Sequence, residues 1–393
     1  MTTTRVLVSG ASIAGPALAL WLARSGFDVT VVEKAPQVRP GGQPVDFKGD
    51  THRTVLRRMG ILDDVLRART HPQDGTVVDA AGRTVAVVPS EFSAGEIEIA
   101  RGDLARLIYD RSAGTCRYLF SDSITSLVET ADGVEVTFSG SAPQTFDLVV
   151  GADGLHSTVR RLAFGPESEH VHHRGYYYAL ADIDLGGPDQ MYNEPGRMVA
   201  TGGPEAPAFF VFASEHLEFD RDDVTAQKAL LVDAYRGGAW RIPELVARVP
   251  DAGQFYLDSI SRVSADRYVN GRVVLLGDSA WGNALGGFGT GLAVVGAYVL
   301  AGELTRSRDD HGAALARYET RMRGYTKNST KINSGRLLAP RTAWGIRVRN
   351  RMFSASALFG PLMGLLDRLA TDIELPDYGL HDQTGGDRGR TTT

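Results

Sequence analysis

The sequence contains a single cysteine, Cys116, so it cannot form an internal disulfide and asks for no oxidising compartment. Concentrated charge is missing too. The formal net charge is −5, and no Lys/Arg block gives the footprint of a nucleic-acid binder. The densest basic stretch, Arg336, Arg341, Arg347, Arg349 and Arg351, reads as a solvated helix face rather than a partner site. Long apolar runs are absent as well. The stretch 14–23 ends at Arg24, well short of a membrane span, and no leader-like pattern precedes it, so a cytoplasmic location is the default expectation. The nine histidines are scattered, and the adjacent pair His172 and His173 has no further ligand at useful spacing, so no metal is expected.

What remains is ordinary for a folded enzyme. Hydrophobic residues make up 43% and charged residues 23% of 393, enough for one large domain or two interwoven ones. Glycine is the exception, with 45 residues, many gathered in three clusters.

The first cluster closes a strand–turn–helix–strand unit. Residues 5–9 (RVLVS) read as a buried strand, 10–15 as a turn, 16–25 as a helix ended by Gly26, and 28–33 (DVTVVE) as a second strand. Gly10, Ser12, Ile13, Ala14 and Gly15 occupy the turn, with serine at the middle glycine position of G-x-G-x-x-G. Backbone N–H groups at such a helix start suit a pyrophosphate, and Glu33 ends the second strand where a carboxylate can accept hydrogen bonds from a ribose diol. Lys34 follows it. The second cluster is Gly151-Ala152-Asp153-Gly154 after the strand 146–150, a backbone pocket with a carboxylate inside it. The third is Gly277-Asp278-Ser279-Ala280, then Gly286-Gly287-Phe288-Gly289-Thr290-Gly291, then an apolar helix over 293–304. So many glycines before a helix put N–H groups against something flat or anionic.

Between these clusters, 103–111 reads as a helix, and 116–120, 124–129 and 133–138 as strands. From 170 to 262 the pattern turns to β-rich, aromatic segments with a helix at 224–235, and helical character is expected from 313 to about 367. No internal repeat is present.

Taken in order, GxSxxG…E, then Arg101-Gly102-Asp103-Leu104, then GADG, then GDSA…GGFGTG, the motifs resemble those of group A FAD-dependent monooxygenases, the para-hydroxybenzoate hydroxylase-like fold that includes tetracycline-inactivating and aromatic or polyketide hydroxylases. The resemblance spans residues 5–304. It implies an α/β fold in which a Rossmann-like FAD-binding domain (1–75, 100–170, 263–330) is interwoven with a mainly antiparallel substrate domain (76–99, 171–262). A C-terminal helical segment (331–378) and a disordered tail (379–393) would follow.

It also implies that Glu33 binds the adenosine ribose, that Arg101 contacts the ribityl or phosphate region, and that Asp153 lies near the pyrophosphate. Asp278 would bond the ribityl chain, and Gly289, Thr290 and Gly291 would abut the pyrimidine edge of the flavin. The implied activity is hydroxylation of an aromatic or polyketide-like molecule with O2, through a flavin C4a-hydroperoxide, with NADPH or NADH as transient reductant. A flavin dehydrogenase or reductase of the same fold, and a flavin-binding protein without turnover, remain open alternatives. The chemistry resides on the flavin, so no catalytic side chain is assigned. Tyr178, Met191, Phe210 and Phe212 are the candidate substrate-lining residues. Trp281 stands where the family usually has histidine, and Ala284 and Leu285 stand where it has a proline.

Overall fold

The computed structural model describes residues 3–71, 74–90, 96–201, 207–285, 289–327, 333–354 and 373–380. Six strands form one sheet, in the order Val269–Asn270, Val273–Leu275, Leu148–Gly151, Arg5–Ser9, Asp28–Glu33 and Arg117–Phe120. Every pairing is parallel except that of the edge strand Val269–Asn270. Parallel strands covered on both faces need apolar side chains on both, which is why Val6-Leu7-Val8 and Leu148-Val149-Val150 are continuous apolar runs with no exposure. The helix Ala14–Arg24 packs there against the helix Gly289–Arg306, with Trp21 edge-on to Tyr298 at 5.4 Å. Gly26 takes the left-handed conformation (φ 80°) that ends the first helix.

A second sheet has seven strands, in the order Phe255–Val263, Val171–Ala181, Ala208–Ala213, Arg197–Thr201, Gln190–Glu194, Gly75–Val78 and Thr84–Val88. All neighbours are antiparallel except Gln190–Glu194 with Gly75–Val78. Alternation along each strand sorts its side chains between two faces. On one face Tyr177, Ala179, Phe210, Phe212 and Leu257 pack with Leu231, Tyr235 and Leu245, from and beside the helices Val224–Ala234 and Ile242–Arg248. On the other, Tyr176, Met198, Val211 and Ile260 gather with Tyr178, Met191 and Phe209, and meet Ala284, Leu285 and Ala339.

Three expectations need correction. The apolar helix begins at Gly289, four residues before the expected start, because its opening glycines share the helical backbone. The expected helical run from 313 is broken into His311–Thr326, Ser334–Leu338 and Ala343–Ser354, with Pro340 between the last two; residues 355–372 and those after 380 lie outside the described set. Arg349 is not on a solvated face. It is buried, and its guanidinium donates to the carbonyls of Leu337 (3.3 Å) and Leu338 (3.0 Å) and to Asn193 Oδ1 (2.6 Å). Burial lowers its pKa to about 10. The other arginines of the stretch are exposed.

Candidate functional site

The three glycine turns follow three neighbouring strands of the parallel sheet, Arg5–Ser9, Leu148–Gly151 and Val273–Leu275, and all leave from its carboxyl edge. That edge is where open parallel sheets bind ligands. Backbone hydrogen bonds lace it together: Gly10 N–H to Val32 O, Ala152 N–H to Ser9 O and Leu276 N–H to Gly151 O, each 2.8 Å. The turns touch. A Cβ on Gly10 (φ 106°) would lie 2.4 Å from Ala152 O, and one on Gly277 (φ 70°) 3.2 Å from the Ala14 Cβ. Gly15 would collide with Gly10 O at 1.9 Å. Only backbone can occupy these positions.

The helix Ala14–Arg24 starts without a side-chain cap, so its leading N–H groups are left for an external acceptor. Glu33 sits beside them. One carboxylate oxygen accepts from Ala11 N–H and the other from Ala35 N–H, both at 2.8 Å, and each oxygen keeps a lone pair for a ribose hydroxyl. The serine at the middle glycine position has a use that the motif alone does not reveal: its hydroxyl accepts from Arg101 Nη2 at 2.8 Å, tying that exposed guanidinium across the first turn. Asp278 starts the short helix Asp278–Trp281 and opens onto the same cleft, with Gly289 so near that a Cβ would lie 3.4 Å from Oδ1. Crowding by surrounding protein pushes its pKa up, and the charge of Arg101 opposes this. Gly291 closes the cleft from behind, packed on the buried ring of His52.

Asp153 is turned inward. Its carboxylate accepts from Ser157 Oγ (2.5 Å) and from the N–H groups of Thr158 (2.8 Å) and Val159 (3.1 Å), so it fixes the start of the helix Thr158–Ala163, whose N-cap is Ser157. Desolvation raises its pKa against those bonds. Lys34 points to the surface, paired with Asp222 at 2.9 Å. Thr290 lies within the first turn of the helix Gly289–Arg306, and residues 286–288 lie outside the described set. Trp281 faces away from the cleft, against Gly296 and 5.3 Å from the Tyr268 ring.

The loop after Asp278 is held by the second sheet. Gly282 O accepts from Val263 N–H (2.6 Å), and Ala284 N–H donates to Ser261 O (3.0 Å). This seam brings the Tyr178 face of the seven-stranded sheet opposite the glycine turns, and Tyr178 lies near enough to Arg101 and Asp278 to feel both charges. Met191 shares that face. Phe210 and Phe212 do not: they point into the helices behind, and Phe209 takes the cleft side because alternation puts odd-numbered residues of that strand forward. Sequence reading also missed Tyr256, whose ring lies 5.7 Å from that of Tyr178, and Asp258 and His156, hydrogen-bonded in turn behind it. Their signal was weak, since Asp258 sits in a strand with no turn or glycine to mark it.

The cradle fits a dinucleotide built as FAD is. Backbone-only turns and an uncapped helix start would take the pyrophosphate, Glu33 the ribose, and Arg101 with Asp278 the chain leading to the flavin ring. The profile of the FAD-binding domain family matches residues 3–329. The chain belongs to the group A FAD-dependent monooxygenases. This flavoprotein is 35% identical over 344 residues to a flavin-dependent monooxygenase of Legionella longbeachae serogroup 1 (strain NSW150), covering 84% of this chain and 87% of that one. It is 38% identical over 339 residues to an uncharacterised protein of Mycobacterium tuberculosis (strain H37Rv), covering 82% and 91%. Among solved structures it resembles tetracycline destructase Tet(55), with 32% identity, coverage of 96% and 99%, and a TM-score of 0.79. The monooxygenase is thus an FAD-dependent oxidoreductase of mixed α/β fold. Among the described residues no helix is long and apolar enough to cross a membrane.

Proposed function

We propose that this monooxygenase, located in the cytoplasm, takes electrons from NADPH or NADH and inserts one atom of O2 into an aromatic or polyketide-like small molecule. The observation that carries this reading is the apposition of the FAD cradle to an apolar, tyrosine-bearing sheet face, across a seam fixed by the Gly282–Val263 and Ala284–Ser261 backbone bonds. Bound FAD supplies the redox chemistry and the activation of oxygen. The chain supplies position and dryness. Gly10, Ser12, Ile13, Ala14 and Gly15 hold the pyrophosphate and Glu33 the adenosine ribose. Arg101, anchored by Ser12, and Asp278 orient the ribityl chain, and Gly289, Thr290 and Gly291 meet the flavin ring. Asp153 acts indirectly, by fixing the turn that buttresses Gly10. Lys34 and Asp222 close the rim at the adenosine end. Tyr178, Met191 and Phe209 form the substrate wall.

The likeness to tetracycline destructases makes tetracycline a sensible first compound, beside simple phenols. The test is NAD(P)H oxidation by the FAD-loaded protein with each compound, coupled to mass spectrometry under 18O2. One labelled oxygen in the product is the expected outcome. Substrate-stimulated oxidation with no labelled product would make the chain a dehydrogenase or reductase instead.

A further inference from the structure

The basic stretch near the C-terminus plays no part in the flavin cradle. Its helix Ala343–Ser354 starts from a local cap, Thr342 Oγ1 accepting from Gly345 N–H at 3.0 Å, so it is ordered without a partner. One side of it is committed to the protein. Arg349 donates inward to Leu337, Leu338 and Asn193, and Phe353 is buried against Val77, Ala86 and Val88 of the seven-stranded sheet. The side turned away is apolar and uncovered. Trp344, Val348 and Met352 recur every four residues and so form one stripe, with 72%, 38% and 46% of their surfaces exposed. Arg347 and Arg351 flank that stripe, and Arg336 and Arg341 stand exposed just before the helix. From 333 to 354 there is no acidic residue, in a chain whose net charge is −5.

We propose that the helix Ala343–Ser354 docks the protein onto an anionic lipid bilayer, lying in the plane of the interface with Trp344, Val348 and Met352 among the acyl chains and the arginines at the phosphates. The stripe runs for about 12 Å along the helix, eight residues at about 1.5 Å each. Arginine stems lie along apolar surface while their guanidinium groups stay at the level of the phosphates, and an indole with its single N–H suits the same boundary. A lipid surface offers both chemistries side by side, apolar depth bordered by negative charge. A second copy of the chain does not. Two such helices face to face would bring Arg347 and Arg351 of each together, with no carboxylate on either helix to offset them. A nucleic acid would neutralise the arginines but leave Val348 and Met352 in water.

The docked helix stands directly behind the substrate wall. Arg349 Nη1 is 3.8 Å from Met191 Sδ, and Met191 shares the cleft face of the sheet. The bilayer would thus lie about one helix diameter, about 10 Å, from that wall. An apolar compound dissolved in the membrane is then concentrated beside the sheet that forms the substrate wall. Because the chain as a whole is acidic, the attraction is local to the arginines and decays within about 8 Å at physiological ionic strength. Attachment is therefore reversible and salt-sensitive.

The experiment uses the full-length, FAD-loaded protein and two sets of vesicles, phosphatidylcholine alone and phosphatidylcholine mixed equally with phosphatidylglycerol. Co-sedimentation should show binding to the mixed vesicles, little to the neutral ones, and release as salt is raised. Arg347→Gln and Arg351→Gln should each weaken partitioning about fivefold, Arg347→Lys should restore it, and Trp344→Ser should weaken it about tenfold or more. Val85→Ser, which removes an exposed apolar side chain away from the helix, should bind as wild type does. All these residues are exposed, so FAD uptake and unfolding midpoints should stay at wild-type values. Lipids brominated along the acyl chain give the second readout. They should quench tryptophan emission in wild type and not in Trp344→Phe, since the other three tryptophans are buried or half-buried. No binding to mixed vesicles at low salt overturns the proposal, as does binding indifferent to the arginine and Trp344 variants or equally weakened in Val85→Ser. A concentration-dependent dimer that Trp344→Ser abolishes, without vesicle binding, would assign the stripe to a second copy and overturn the lipid assignment.

Discussion

Replacing Gly10 by alanine tests the convergence of the glycine turns with a built-in control. At Gly10 (φ 106°) the new Cβ would lie 2.4 Å from Ala152 O and 2.8 Å from Ala152 C, both backbone atoms of the second turn, so neither can swing aside. At Gly26 (φ 80°) a Cβ meets nothing within 4 Å. Gly26→Ala therefore carries only the left-handed backbone cost, about 1–2 kcal/mol. Gly10→Ala adds overpacking of about 1–3 kcal/mol, for a total of about 2–5 kcal/mol. The clash can be relieved only by moving the first turn off the second, which displaces the N–H groups meant for the pyrophosphate. FAD affinity should then fall at least tenfold, about 1.4 kcal/mol, in Gly10→Ala and stay at the wild-type value in Gly26→Ala. Denaturant unfolding of the apoprotein and FAD titration by fluorescence quenching read the two effects. Equal stability losses in the two variants, or unchanged FAD affinity in Gly10→Ala, would refute the idea that the turns buttress each other.

Other outcomes follow from single side chains. His52 is buried, accepts from Lys48 N–H, and has its pKa lowered from 6.5 to about 4 by desolvation. The folded state thus binds fewer protons than the unfolded one between these values, and stability should fall as pH drops, by about 3 kcal/mol in all; in His52→Leu that slope should vanish from pH-dependent unfolding curves. Arg349→Met strands the Leu337 carbonyl and the Asn193 Oδ1, while the Leu338 carbonyl keeps its bond from Asn193 Nδ2, so it should destabilise by about 1–3 kcal/mol in denaturant. Phe210→Ala should cost about 3–5 kcal/mol of stability with substrate KM unchanged, whereas Phe209→Ala should raise KM at a smaller stability cost. The reverse pattern would mean that the sheet faces are misassigned.

The cofactor half was legible because its chemistry is written in contiguous, glycine-marked turns. Gly10, Glu33 and Asp278 each stand at the end of a buried apolar strand, and the spacing of strand, turn and helix is local. Of the substrate half, only Tyr178 and Met191 were picked out. Tyr178, Phe209 and Asp258 come from three strands of one sheet, and which residues share a face depends on register, which alternates with every residue. Phe210 was a reasonable choice by composition and lies one residue out of phase. The roles of Ser12 and Arg349 were also hidden, since each depends on a partner at least 89 residues away or on burial that charge patterning cannot show. Asp153 was visible as a carboxylate in a glycine turn, but the helix N-terminus beside it takes up its hydrogen-bonding capacity.

The central claim is that one cleft holds a whole dinucleotide, its adenosine end on Glu33 and the first turn, its flavin end on Asp278 and the third. Parallel titrations of the apoprotein with FAD and with FMN, which lacks the adenosine half, test this directly. One FAD per chain, bound far more tightly than FMN, is the predicted result. Equal affinity for the two, or no uptake of either, would contradict it.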